Sequence, residues 1–242
     1  MINVAQDIST EISEIFSSIQ GEGVYLGKKQ IFVRFGLCNM HCTYCDELPK
    51  MQKGAFETLS LESVLEQVQD LETQEGEHHS ISLTGGEPLF YSNFLEALLP
   101  ELKERGFKTY LETNGTLPQL LKKHIGLVDI VSMDLKPPSS TGDRAFWLEQ
   151  AEFLKVAHVA SMDVFTKLVV TEKILDEEIL QCIELVKSID SKIPFILQPV
   201  SESGGPNKAA MKRIEDQYFK LASMHLRDVR IIPQMHKVWG IR

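Results

Sequence analysis

The sequence predicts an α/β fold, a partial (β/α)6 TIM-like barrel, and three observations carry that reading. Short β-branched or apolar runs alternate with helix-period segments from about residue 30 onward, the signature of β/α units around a parallel sheet. The strings Thr84-Gly85-Gly86-Glu87-Pro88, Glu112-Thr113-Asn114-Gly115 and Ser132-Met133-Asp134-Leu135-Lys136 each fall at a strand's carboxyl end, and in a parallel barrel those ends converge on one face. The chain has 242 residues, whereas eight full units typically take about 250, so roughly six units fit and one side stays open to a large substrate. Residues 1–242 read as one domain, with no repeat or low-complexity linker.

The elements follow in order. A strand is expected around 11–18, then one near 30–36 from the apolar run Ile31, Phe32, Val33 and Phe35. From Glu57 to Glu77 there are seven carboxylates and no Lys or Arg, yet Leu61, Val64, Leu65, Val68 and Leu71 fall at helical spacing, so 61–73 reads as a helix with one solvated face. Further strands are expected near 79–83, 107–112, 128–134, 163–169, 193–198 and 228–232, and further helices near 93–105, 117–124, 143–157, 175–189 and 206–225. Leu175, Ile179, Cys182, Ile183 and Val186 share one helical face, which makes Cys182 a buried core thiol.

Composition excludes several classes. With 43% hydrophobic and 24% charged residues the chain has the balance of an ordinary globular enzyme. The formal net charge of −9 argues against nucleic acid as a partner, because phosphate binding relies on clustered Lys and Arg. No run of about 18 apolar residues is present to span a membrane. Met1 to Thr10 lacks a basic start followed by an apolar run, so a reducing cytoplasm is the expected setting.

Within that frame the string Cys38-Asn39-Met40-His41-Cys42-Thr43-Tyr44-Cys45 is the most informative. Three close thiolates hold a four-iron cluster while leaving one iron open to a ligand, and the loop at about 38–46 is the expected cluster loop. Zinc is the main alternative. His41 is a poor fourth ligand beside Cys42, and no second Cys-x-x-Cys pair follows. Gly85 and Gly86 let a ligand approach the backbone closely, and Glu87-Pro88 fixes a rigid turn whose carbonyls and carboxylate accept from an ammonium group. Ser132, Asp134 and Lys136 alternate along a strand end and put hydroxyl, carboxylate and ammonium groups on one face, a set suited to a zwitterionic, ribose-bearing ligand. Gln198-Pro199-Val200 joins the same rim.

The cysteine triplet with its aromatic Tyr44, followed by Gly85-Gly86-Glu87-Pro88, resembles the radical S-adenosylmethionine superfamily. The resemblance implies the radical SAM type of partial barrel and a 4Fe-4S cluster on Cys38, Cys42 and Cys45. It also implies S-adenosylmethionine on the open iron, cleaved by one electron to a radical that abstracts hydrogen from a substrate. Tyr44, Gly86, Glu87, Ser132, Asp134, Lys136 and Gln198 are the implied cofactor-binding residues.

Further strings narrow the resemblance. Ser18-Ile19-Gln20-Gly21-Glu22-Gly23, Arg34 upstream of Cys38, the pair Cys45-Asp46 and Pro233-Gln234-Met235-His236-Lys237 are together similar to the 7-carboxy-7-deazaguanine synthase family, from about Glu14 to Arg242. That family implies 6-carboxy-5,6,7,8-tetrahydropterin as substrate and a ring contraction with loss of ammonia, in queuosine-type biosynthesis. It implies substrate contacts from Ile19, Gln20, Gly21, Glu22, Arg34, Thr84, His236 and Arg242, and an electron donor such as flavodoxin or ferredoxin. Arg34 suits a substrate carboxylate because a guanidinium offers a bidentate fork. Mg2+ is a further implied cofactor, and Glu47 stands where relatives carry a hydroxyl residue beside that ion. A homodimer is expected from the resemblance and from the edges of an incomplete barrel. The competing readings are a glycyl-radical-enzyme activase with a peptide groove and a zinc-stabilised binding module.

Overall fold

The computed structural model describes residues 8–48, 54–160, 162–202 and 205–241. Strand β1 (Ser9–Ile19) runs antiparallel to β2 (Lys29–Phe35), and β3 (Glu57–Ser60) pairs antiparallel with the start of β1. From β2 the chain winds in one direction through the parallel strands β4 (Ser80–Gly85), β5 (Thr109–Thr113), β6 (Ile130–Leu135), β7 (Asp163–Val170) and β8 (Phe195–Pro199). After a small hairpin of β9 (Ser201–Glu202) and β10 (Gly205–Pro206), β11 (Val229–Ile231) ends the series beside β8. The order β11-β8-β7-β6-β5-β4-β2-β1-β3 leaves β11 and β3 as the two edges. Six crossovers, each carrying helix, join the seven parallel strands β2, β4, β5, β6, β7, β8 and β11, which gives the (β/α)6 partial barrel.

Period-two alternation decides what faces where. Ile31, Val33, Phe35, Ile81, Leu83, Leu111, Val131, Met133, Leu135, Leu168, Val170, Phe195 and Leu197 point to the helices and form the main core. The alternate positions point inward. Deep in the barrel one group is apolar, with Tyr110, Ile130, Phe165 and Ile196 packed on Val24, Tyr25 and Ile232, while Gln30, Ser80, Ser82 and Ser132 are buried polar positions and Gln30 donates to Ser80 at 2.9 Å. Toward the strand carboxyl ends they become Arg34, Thr84, Glu112, Asp134, Lys167 and Gln198, and all six line one cavity. The loop after β1 plugs the floor. Gly23 there has φ +63°, and a Cβ on it would sit 2.5 Å from the Phe165 ring.

The helices start where the sequence supplies stops and caps. Helix Leu61–Glu75 begins at Ser60, whose side chain accepts from the Ser63 amide, and it buries Leu61, Val64, Leu65 and Val68. A cap of this kind contributes about 1 kcal/mol. Two helices differ from expectation. The segment expected from 143 begins at Trp147, after a single turn Pro138–Thr141 that Gly142 ends in a left-handed conformation. The segment expected over 206–225 is broken by a π turn at Ile214–Tyr218, which brings both residues into the core while the Tyr218 hydroxyl donates to Asp176 at 2.5 Å. Cys182 is fully buried in the core, whereas Leu175 precedes the helix Asp176–Ile189 and is exposed.

Candidate active site

The cysteine loop leaves the end of β2 and is held from two sides. On one side the Gly86 amide donates to the Phe35 carbonyl at 3.0 Å, and the Glu87 amide to the Leu37 carbonyl at 2.9 Å. On the other, the Thr43 amide donates to the Thr141 carbonyl at 2.9 Å and the Thr43 hydroxyl to the Ser140 carbonyl at 2.8 Å. Contact at Gly86 is so close that a Cβ would fall 1.8 Å from the Leu37 oxygen.

Glu87 does not line the cavity. Its carboxylate is fully buried and turned inward, accepting from the Asn114 amide at 2.8 Å, the Leu89 amide at 3.1 Å and the Thr113 hydroxyl at 2.9 Å. Burial raises its pKa to about 7 against the opposing pull of those donors and of Lys136. The motif therefore splits, with Gly86 at the cavity wall and Glu87 bracing the turn behind it.

Cys38, Cys42 and Cys45 all line the cavity as free thiols. Cys38 Sγ accepts from the Met40 amide at 3.4 Å and lies 3.8 Å from Asn114 Nδ2. Burial and the nearby Glu87 push its thiol up to about 12, and burial also raises Cys42. The Met40 amide and Asn114 Nδ2 are oriented to support a thiolate at Cys38. His41 is exposed and outside the cavity wall, with its amide on Asp143 at 2.9 Å, which removes the fourth ligand of the zinc reading. Among the described residues no group of three His, Cys, Asp or Glu is placed to hold a single metal ion. Thiolates that each take one iron of a cluster need not converge on one point.

A buried chain of charges crosses the cavity from the cysteine loop to the opposite wall. Lys136 Nζ lies 3.3 Å from the Tyr44 hydroxyl and 2.9 Å from Asp134. Asp134 is also 3.3 Å from Lys167, which is ion-paired with Glu22, and Glu22 accepts from Gln234 at 2.8 Å. Burial would raise the Glu22 carboxyl, but Lys167 and Gln234 pull it down to about 2. Burial would likewise lower both lysines, and the carboxylates hold them well above their ordinary range. Gln198 is buried at the same wall, and its Oε1 has no hydrogen-bond partner among the described residues.

The second half of the site comes from β1, β2 and the C-terminus. Gln20 donates to Gln30 at 3.0 Å and Glu112 at 2.9 Å and accepts from the Glu22 amide at 3.0 Å, so its amide is spent in fixing the loop. Thr84 donates to the other Glu112 oxygen at 2.6 Å. Arg34 pairs with Glu47 at 3.1 Å. The helix Met235–Trp239 lies across this wall: the Met235 amide donates to the Gly21 carbonyl at 2.9 Å and Lys237 pairs with Asp46 at 2.6 Å. Gly21 has to be glycine, since a Cβ would lie 2.5 Å from the His236 ring.

The cavity, about 500 Å³, thus gathers Cys38, Cys42, Cys45, Tyr44, Glu47, Gly86, Asp134, Lys136, Gln198, Ile19, Gln20, Gly21, Glu22, Arg34, Thr84 and His236. Ser132 is not among them, because it sits one inward position deeper and is bonded to the buried Tyr110 hydroxyl. Arg242 lies outside the described residues. Lys167, which the sequence did not single out, lines the cavity, as do Glu112 and Gln234, which it placed in strings without a role of their own. Lys167 carries the signal used for Arg34, a cation within an apolar strand, and Glu112 ends an apolar strand in the same way.

A (β/α)6 partial barrel with three loop cysteines at the carboxyl end of its first parallel strand defines a radical SAM enzyme, and the radical SAM superfamily matches residues 32–186. The chain is 38% identical to the 7-carboxy-7-deazaguanine synthase of Geobacter sulfurreducens, over 95% of this chain and 97% of the relative. It is 32% identical to that of Methanothermobacter thermautotrophicus, over 96% and 97%. The chain belongs to the 7-carboxy-7-deazaguanine synthase family, which sets the activase reading aside. Among solved structures, QueE from Escherichia coli shares the fold at a TM-score of 0.64 and 21% identity, with 94% of each chain covered. SuiB of Streptococcus suis bound to S-adenosylmethionine has a TM-score of 0.56 at 18% identity, covering 81% of this chain and 45% of that one.

Proposed function

We propose that the cavity binds S-adenosylmethionine against the cysteine loop and 6-carboxy-5,6,7,8-tetrahydropterin against the C-terminal helix, and converts the pterin to 7-carboxy-7-deazaguanine with loss of ammonia. The observation that carries this reading is one cavity lined both by the three cysteines with Asp134, Lys136 and Gln198 and by Gly21, Arg34, Thr84 and His236. When bound, a 4Fe-4S cluster and S-adenosylmethionine supply the electron and the radical chemistry.

The chain's own groups then bind and orient. Asp134, ion-paired with Lys136 and Lys167, accepts from ribose hydroxyls, and Gln198 Oε1 is a ready acceptor for a ligand donor. Arg34 takes the pterin carboxylate. Glu22, ionised down to about pH 2, and Glu112 are acceptors for the N–H edge of the pterin. The C-terminal helix, pinned by Lys237 to Asp46, limits water at this wall. Mg2+ at Glu47 beside the substrate carboxylate completes the reading, supported by the oxygen donor that Glu47 presents to the cavity.

The same reading takes residues 1–242 as one domain working in a reducing cytoplasm, with a flavodoxin or ferredoxin as electron donor. No helix among the described residues is long and apolar enough to cross a membrane. The edges at β3 and β11 support a homodimer, which light scattering at micromolar concentration tests. For the site itself, Cys42→Ala is expected to abolish cleavage of S-adenosylmethionine. Arg34→Ala is expected to retain the cluster, read by iron and sulfide content, and to lose pterin affinity. The reverse pattern would refute these roles.

A further inference from the structure

Arg34 is committed before any ligand arrives. Its Nη1 lies 3.1 Å from Glu47 Oε1, with side-chain exposures of 21% and 17%, so the pair is largely shielded from solvent. The guanidinium carbon lies 5.6 Å from the centroid of the Phe16 ring, within the range of a cation–π contact. One arm of the guanidinium fork, Nε, is buried without a hydrogen-bond partner among the described residues. Arg34, Glu47 and Phe16 all line the cavity. Glu47 thus sits as an ion-pair partner at one end of a guanidinium that a planar carboxylate would engage with two donors.

We propose that Glu47 is an internal counter-anion for Arg34, which the carboxylate of the ligand must displace in order to bind, and that Glu47 thereby sets the affinity of the site for carboxylated pterins. The inference rests on the pterin reading given above. Two carboxylates at one guanidinium repel each other, so a ligand carboxylate engages Arg34 in full only when Glu47 leaves, and a shielded ion pair opposes that exchange. A divalent cation lowers the barrier because it gives the displaced Glu47 and the incoming carboxylate a shared positive partner. A pterin lacking the carboxylate leaves the pair in place and is indifferent to residue 47.

The test uses the cluster-loaded protein with S-adenosylmethionine, kept anaerobic and without reductant, and reads binding by calorimetry. The probes are 6-carboxypterin and 6-methylpterin, in buffer freed of divalent cations. Glu47→Gln is expected to bind 6-carboxypterin about tenfold more tightly than the wild type, the scale of one shielded ion pair. The affinity for 6-methylpterin is expected to be unchanged. Adding Mg2+ is expected to tighten the wild type and to narrow the gap. Equal or weaker binding of 6-carboxypterin by Glu47→Gln overturns the proposal.

A second measurement needs no pterin. In a thermal-denaturation cycle, Glu47→Gln is expected to lower Tm in the wild-type background and to have little effect beside Arg34→Met. Absence of that coupling overturns the pairing itself. Coupling without binding of 6-carboxypterin to either protein refutes the pterin reading, and displacement by that carboxylate with it, while the Arg34–Glu47 pair stands.

Discussion

The two walls of the cavity are built on different physics. The wall that carries the cysteines is held by backbone contact and by a single inward carboxylate: Gly86 is pressed on Leu37, and Glu87 gathers the amides of Leu89 and Asn114 with the Thr113 hydroxyl. The facing wall is held by paired charges, with Lys167 between Glu22 and Asp134 and with Lys237 on Asp46. The first arrangement fixes the position of a loop. The second sets charge, and it can rearrange when a charged ligand arrives. A site that anchors a cluster rigidly and admits an anionic substrate uses each where it serves.

Breaking the rigid wall is expected to have the largest effect. Gly86→Ala places a methyl 1.8 Å from the Leu37 oxygen, a distance that only a backbone shift relieves. A loss of about 4 kcal/mol or more in stability is expected, with loss of iron loading. Chemical denaturation and iron content check it, and a variant that keeps wild-type iron content contradicts the role given to this contact.

The charged wall is next. Lys167→Met leaves Glu22 and Asp134 with one fewer partner in a shielded site, at a cost of about 3 kcal/mol. Glu22→Gln in the same chain is expected to recover part of that loss, because it removes one of the two stranded charges. Urea denaturation of the two variants gives the difference.

The smallest effect, and the one that sharpens the contrast most, is the pH dependence. Glu22 moves from its ordinary 4.5 to about 2, so its contribution to stability is fully present above pH 4.5 and is lost as pH falls through about 2. Glu87 moves the other way, from 4.5 to about 7, so folding favours its protonated form. Its contribution is full below pH 4.5 and falls as pH rises to about 7. Each amounts to about 1–3 kcal/mol. Tm measured from pH 8 to pH 3 is expected to be flatter on the acid limb for Glu22→Gln and flatter between 4.5 and 7 for Glu87→Gln.

The same contrast explains what the sequence made legible. The cysteine wall is encoded in contiguous strings, so Cys38, Cys42, Cys45 and Gly86 were found as a group. Every parallel strand was also legible, since apolar runs bounded by turns leave few alternatives. Strand β3 was not, because Glu57–Ser60 carries no apolar alternation and exists through its pairing with β1. Glu87 and Ser132 were legible as motif members, but the direction of their side chains depends on what packs behind them. The charged wall was the least visible. Lys167 meets Glu22 across 145 positions of sequence and Gln234 meets Glu22 across 212, and no local pattern announces either contact.

The central claim is that one cavity joins the radical chemistry of the cysteine wall to a carboxylated pterin on the facing wall. The measurement that tests it most directly is mass spectrometry of an anaerobic reaction of the reconstituted protein with reductant, S-adenosylmethionine, Mg2+ and 6-carboxytetrahydropterin. The expected result is 7-carboxy-7-deazaguanine together with 5′-deoxyadenosine. Formation of 5′-deoxyadenosine with the pterin recovered unchanged would contradict the account.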